Sequence, residues 1–174
     1  RILKKPTPFN TTDFLRQATA IGFSAGQAME IAESLYQQGL TSYPRTDNTV
    51  YSKTLDLKKI LKEILRVPDF KKDVETILAK PLNPSRGKKE TKDHPPIHPV
   101  TAASKEKLSE RHWKIYELIV RRFLATLGED AKTENQSIEI LLGKEPFVAK
   151  GQRIVDMGWK EIYPYSTISE VILP

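Results

Sequence analysis

The chain has 174 residues, 39% apolar and 29% charged, with a formal net charge of +6 at pH 7. That is enough to bury one core or one and a half, it excludes an intrinsically disordered segment, and the positive excess suits a polyanionic partner. The lack of cysteine excludes disulfides, thiolate nucleophiles and Cys-based zinc sites, and no apolar run is long enough to span a membrane. With no signal-peptide pattern, a soluble cytoplasmic protein is expected. The first residue is Arg rather than Met and residues 169–174 read as strand, so both ends are expected to be cut from a longer chain.

Residues 1–8 carry Lys4, Lys5, Pro6 and Pro8, a basic and extended lead-in whose prolines bar a helix. Thr11 or Thr12 is expected to cap a short helix with Phe14, Leu15 and Ala18 facing inward, ended by Gly22. Ser24 with Gln27 three residues on has capping-box spacing, and Ala28, Ile31, Ala32 and Leu35 form one stripe until Gly39 stops the helix. Glu33 and Gln37, four apart, share a face near its end. Leu57, Ile60, Leu61, Ile64 and Leu65 repeat at helical spacing up to Val67-Pro68, with lysines on the solvated side. Residues 69–79 are expected to form another helix, and residues 80–91 an exposed basic loop. Ser104 or Ser109 is expected to cap the longest helix, with Trp113, Tyr116, Val120, Phe123, Leu124 and Leu127 as core and Gly128 after it. Beyond it the period changes to two: Gln136, Ile138, Ile140 and Leu142 alternate with Asn135, Ser137 and Glu139. Residues 147–150 and 152–155, either side of Gly151, suggest a hairpin, and residues 159–163 a further strand.

Two stretches concentrate chemistry. In Ser42-Tyr43-Pro44-Arg45-Thr46-Asp47, Pro44 pushes Tyr43 towards extended backbone, where residues two apart share a face, so Tyr43 and Arg45 can address one ligand. Tyrosine, with a pKa near about 10, is a poor nucleophile at neutral pH unless its phenolate is stabilised. A guanidinium beside it can do that, and can also fork two phosphate oxygens. The same residues are the composition of an ordinary turn. In Asp93-His94-Pro95-Pro96-Ile97-His98-Pro99, the prolines exclude the helix that would bring His94 and His98 together on a metal. A proline-braced histidine is instead either a structural residue or a fixed hydrogen-bond donor towards a phosphate.

Taken in order, Gly22-Phe23-Ser24-Ala25, Leu35-Tyr36 before Gly39, Ser42 to Asp47, Pro84-Ser85-Arg86-Gly87-Lys88-Lys89, Asp93 to Ile97 and residues 147–164 resemble the type IA DNA topoisomerases, their archaeal members above all. The resemblance implies an α+β fold in which a mainly helical domain bearing the catalytic tyrosine, residues 9–128, is inserted into a β-rich gate domain represented by residues 1–8 and 129–174. It implies that Tyr43 cleaves one DNA strand and forms a 5′-phosphotyrosyl link, that Arg45 contacts the scissile phosphate and that His94 assists there. Ser42, Thr46 and Asp47 fall on neighbouring active-site positions that would meet DNA, and Glu33 and Gln37 on polar positions facing the pocket. The implied partners are single-stranded and negatively supercoiled DNA and the remaining domains of the longer enzyme, at the nucleoid. The family's magnesium belongs to a glutamate and Asp-x-Asp cluster; this sequence has no Asp-x-Asp, so no cofactor is expected on this chain and relaxation by it alone is not expected. A DNA-binding module without chemistry is the competing class, separated by covalent trapping. A tyrosine recombinase, with dispersed arginines, or a relaxase, with a His-x-His set, does not fit the order of features.

Overall fold

A computed structural model describes residues 1–166 and 170–173. The organising element is the longest helix, Glu110–Leu127, buried along nearly its whole length from Trp113 to Leu127. Ser109, not Ser104, caps it, its hydroxyl accepting from the His112 N–H at 3.2 Å. The preceding helices wrap this central rod. Numbered in chain order they are α1 (Thr11–Ala20), α2 (Ala25–Gln37), α3 (Leu57–Ile64) and α4 (Lys71–Leu78), the rod itself being α5. Phe14 and Ala18 of α1 and Ala28, Ile31, Ala32 and Leu35 of α2 are buried in one core with Tyr116, Val120, Phe123 and Leu124. Burying such side chains is the main favourable term in the fold, about 1.5–3 kcal/mol for each large one.

The caps follow local chemistry. Asn10, rather than Thr11 or Thr12, caps α1, its Oδ1 accepting from the Asp13 N–H at 2.8 Å. Ser24 and Gln27 satisfy each other's backbone donors in the expected capping box. Gly39, at φ +75°, ends α2 in a left-handed conformation. The single helix expected over residues 69–79 is divided: Pro68 opens a 3-10 turn, Pro68–Phe70, and α4 follows. Phe70, stacked on Trp113 with centroids 5.8 Å apart, fixes that break against α5.

The remaining architecture is an antiparallel three-stranded sheet, β1 (Ile2–Leu3), β2 (Ala131–Leu142) and β3 (Glu145–Asp156), in that order, so the α+β class holds. The β2–β3 ladder runs from Lys132 opposite Asp156 to Leu142 opposite Glu145, which places the hairpin turn at Gly143-Lys144 rather than at Gly151. Gly143, at φ +68°, supplies the positive φ that a two-residue hairpin turn needs. Gly151 lies inside β3 for a different reason: a side chain there would stand 2.7 Å from the Val171 carbonyl oxygen. It admits the C-terminal segment, where Val171 exchanges two backbone bonds with Gln152 at 2.8 and 3.0 Å. Of the strand-like ending expected over residues 169–174, Ser169 and Pro174 lie outside the described residues.

The strand expected over residues 159–163 is instead a helical turn, α6 (Trp159–Ile162). Trp159, Ile162 and Tyr163 are all buried, a helical spacing that a strand would split between two faces. The Trp159 indole N–H donates to the Leu3 carbonyl at 3.1 Å, joining the turn to the lead-in. Arg122 of α5 completes the junction: its Nε donates to the Thr7 carbonyl at 2.7 Å and its guanidinium lies over Phe9, 4.4 Å from the ring centre.

Candidate active site

The left-handed end of α2 turns the chain directly into residues 40–48, which lie between the start of α1 and the proline-rich segment of residues 93–99. Both sides grip it. On one side the Thr11 hydroxyl donates to the Pro44 carbonyl at 2.7 Å, and the Thr46 N–H donates back to that hydroxyl at 2.8 Å. On the other, Thr41 pairs with Pro99 and Phe9 with Ile97 in isolated antiparallel bridges. Three segments remote in sequence thus form one small backbone scaffold under Tyr43.

Tyr43 is half-buried with its ring between two others. The His94 ring lies at 4.9 Å and the Tyr36 ring at 5.2 Å, centre to centre. His94 itself is exposed. Arg45 is exposed and its Nε donates to Glu33 Oε1 at 3.1 Å, so the end of α2 and the Tyr43 stretch meet through this pair. Asp47, also exposed, accepts from Lys89 Nζ at 2.9 Å. Gln37 is exposed on the last turn of α2.

Ser42 and Thr46 occupy a different layer, only 8% and 6% exposed. The Ser42 hydroxyl donates to the Pro96 carbonyl at 3.3 Å and accepts from the His98 N–H at 2.8 Å. The Thr46 hydroxyl donates to the His94 carbonyl at 3.3 Å and accepts from the Asn48 N–H. Their hydroxyls are spent on backbone and hold the two chemical segments in register. His98 is buried with Nδ1 2.7 Å from the Pro99 carbonyl. Burial lowers its pKa below 6.5, the backbone bond opposing this only in part, so it is a neutral structural imidazole at neutral pH.

Sequence reading passed over Asn48, the tie closest to His94. Its Nδ2 donates to the Thr91 and His94 carbonyls at 3.0 and 3.1 Å, and its Oδ1 accepts from the Val50 N–H at 3.0 Å. An Asn after Thr-Asp carries no signal by itself, since the partners come from a distant loop. The loop of residues 80–91 is also more restrained than its composition suggests. Its Ser85 N–H donates to Thr126 in α5, and Gly87 N–H donates to the Thr49 carbonyl, both at 2.9 Å. A side chain at Gly87 would stand 2.1 Å from Thr49 Oγ1, so this approach requires glycine.

The site is a surface, not a cavity. A cleft of about 660 Å³ lies to one side, lined by Leu40, Arg66, Pro68, Lys105 and Leu108, and does not include Tyr43. Among the described residues no group of three or more His, Asp or Glu side chains is disposed to hold a metal. Among the same residues no helix is long and apolar enough to cross a membrane.

A family profile described as DNA topoisomerase matches residues 1–174. DNA topoisomerase 1 of Archaeoglobus fulgidus is 47% identical over 98% of this chain and 25% of its own length. DNA topoisomerase 1 of Thermoplasma acidophilum is 46% identical over 99% of this chain and 22% of its own. Mouse DNA topoisomerase 3-beta-1 is 37% identical over 95% and 19%. The full-length topoisomerase I structure from Thermotoga maritima superposes on the entire chain with a TM-score of 0.72 at 22% identity, over 29% of that molecule, and shares the fold. The chain belongs to the type IA DNA topoisomerase family. It spans about a quarter or less of the curated relatives just described.

Proposed function

We propose that this chain is the nucleophile-bearing part of a type IA topoisomerase, and that Tyr43 cleaves one strand of DNA. The phenolic oxygen of Tyr43 bonds to phosphorus, the P–O3′ bond breaks, and the departing 3′ oxygen takes a proton while the phenol gives one up. The product is a 5′-phosphotyrosyl link, and reversal restores the strand after another has passed. The observation that carries this reading is the packing of His94 against Tyr43 at 4.9 Å, because a phenol, an imidazole and, two residues on, a guanidinium are the groups a phosphodiester needs in attack and charge stabilisation. The open surface suits a polymer better than a small molecule. Under this reading Arg45 forks a phosphate and His94 donates to a non-bridging oxygen. Ser42 and Thr46 act by bracing, while Asp47, Glu33 and Gln37 lie at the surface that DNA would meet. The substrates under this reading are single-stranded and negatively supercoiled DNA, with residues 9–128 as the tyrosine-bearing domain and residues 1–8 and 129–174 as parts of the gate. The remaining domains of the longer enzyme supply magnesium and the closed ring, and the enzyme works at the nucleoid.

The test is Tyr43→Phe in the longer enzyme. That change removes one oxygen, so the fold is kept while relaxation and covalent DNA adducts both disappear. Adducts that persist in the variant refute the assignment. The chain by itself is expected to bind single-stranded DNA, with affinity falling steeply as salt rises, and not to relax supercoils.

A further inference from the structure

The arginines of this protein fall into two kinds. Arg121, 18% exposed, bonds Glu117 at 2.9 Å and the Ile162 carbonyl at 3.2 Å, and Arg122 bonds the Thr7 carbonyl while covering Phe9. Such cations are structural, held by several partners at once. Arg45 is of the other kind. Its side chain is 59% exposed, and among the described residues its one ion pair is a single bond from Nε to Glu33, itself 40% exposed. The bond uses the inner nitrogen and leaves the two terminal nitrogens, the edge that forks a phosphate, without a described partner. An exposed pair of this type is weak and easily exchanged. Glu33 nevertheless stays close to Arg45, because its backbone is held in α2 by the capping box and the buried stripe.

We propose that Glu33 is a built-in competitor for Arg45: its carboxylate stands on the guanidinium in place of a DNA phosphate, and DNA must displace it or bind against its charge. Glu33 is then an affinity-setting residue that acts through Arg45 and touches no reacting atom. The inference rests on the reading of Arg45 as a phosphate contact. A neighbouring pair repeats the arrangement: Lys89, on the loop packed against Thr49, carries Asp47 at 2.9 Å. Cations masked in this way bind a polyanion less tightly in a non-specific manner and release strongly bound strand more readily, which suits an enzyme that must let DNA go.

The experiment is a two-by-two set on this chain, comprising the unchanged protein, Glu33→Gln, Arg45→Ala and the double variant, each titrated with a fluorescent oligothymidylate at low salt. Glu33→Gln is expected to tighten binding by about three-fold or more, the scale of an exposed ion pair. The gain is expected to vanish when Arg45 is already Ala. A gain of equal size in the Arg45→Ala background is a general loss of negative charge and overturns the proposal, as does a loss of affinity in Glu33→Gln, which would make Glu33 a support rather than a competitor. If Arg45→Ala leaves binding unchanged, Arg45 is no phosphate contact and the underlying functional reading fails at that residue. Far-ultraviolet circular dichroism of all four proteins checks that α2 is intact.

Discussion

The helical body and the β2–β3 hairpin share one chain but are stabilised by different means. In α5, apolar residues are covered on almost every side, and Tyr116, Phe123 and Leu118 are wholly buried. In β2, only Ala131 and Thr133 at the base are buried, while Ile138, Ile140 and Leu142 remain exposed on one face beside Phe147 of the partner strand. A two-stranded ribbon in water gains from its ladder and cross-strand pairs, yet such ribbons are marginal without a third strand or a covering layer. The body, by contrast, gains from area removed from water. Site residues reside on the body, where several segments brace the same few backbone groups, and none lies on the hairpin.

The largest expected effect sharpens this contrast. Phe123→Ala in α5 should cost about 3–5 kcal/mol, transfer plus cavity, and Phe147→Ala in the hairpin about 0.5 kcal/mol or less. Paired urea melts measure both; equal losses would mean that the hairpin face is covered. Next is Asn48→Ala, which leaves the Thr91 and His94 carbonyls and the Val50 N–H short of their partner in a buried position. A loss of about 1–3 kcal/mol is expected. Amide exchange should accelerate through residues 91–98 before it does in α5, and unchanged exchange there would show that Asn48 does not hold the His94 segment. Ser24→Ala removes half of the capping box and should cost about 1 kcal/mol, with early exchange confined to the start of α2.

A pH experiment probes the inner layer of the site. The folded pKa of His98 is lowered by burial, so the unfolded chain binds its proton first as pH falls. The stability that neutral His98 contributes is complete above the unfolded value of 6.5 and is lost as pH falls from there towards the folded value. Melts between pH 7.5 and about 5 should show this decline. His98→Gln should flatten it, and an identical slope in the variant would assign the decline to other groups. The smallest effect belongs to the ribbon tip, where Ile140→Thr should change stability by no more than about 0.5 kcal/mol.

Helices were legible because their signals are local. Ser24 and Gln27 meet across one turn, and the stripe of α5 repeats at a spacing that only a helix puts on one face. Family membership was likewise legible, since ordered agreement from Gly22 to Pro164 survives without coordinates, and Tyr43, Arg45 and His94 stand out by side-chain chemistry. The hairpin turn was misplaced because two glycines, Gly143 and Gly151, look alike in sequence; one supplies a positive φ and the other makes room for Val171. Trp159, Ile162 and Tyr163 are residue types common in strands, yet their spacing, the bond from Trp159 to Leu3 and the burial of Ile162 and Tyr163 beside α5 favour a helical turn.

By itself the sequence determined the composition of the site, most helix positions and the family, because side-chain chemistry, capping and period act over a few residues. Tertiary structure alone decided that Asn48 ties down His94, that Thr11 supports Pro44 and Thr46, and that Glu33 sits on Arg45. Each of those contacts joins segments separated by a dozen residues or more. Their formation depends on how α1, α2 and the proline-rich segment pack, and no short-range preference encodes that distance.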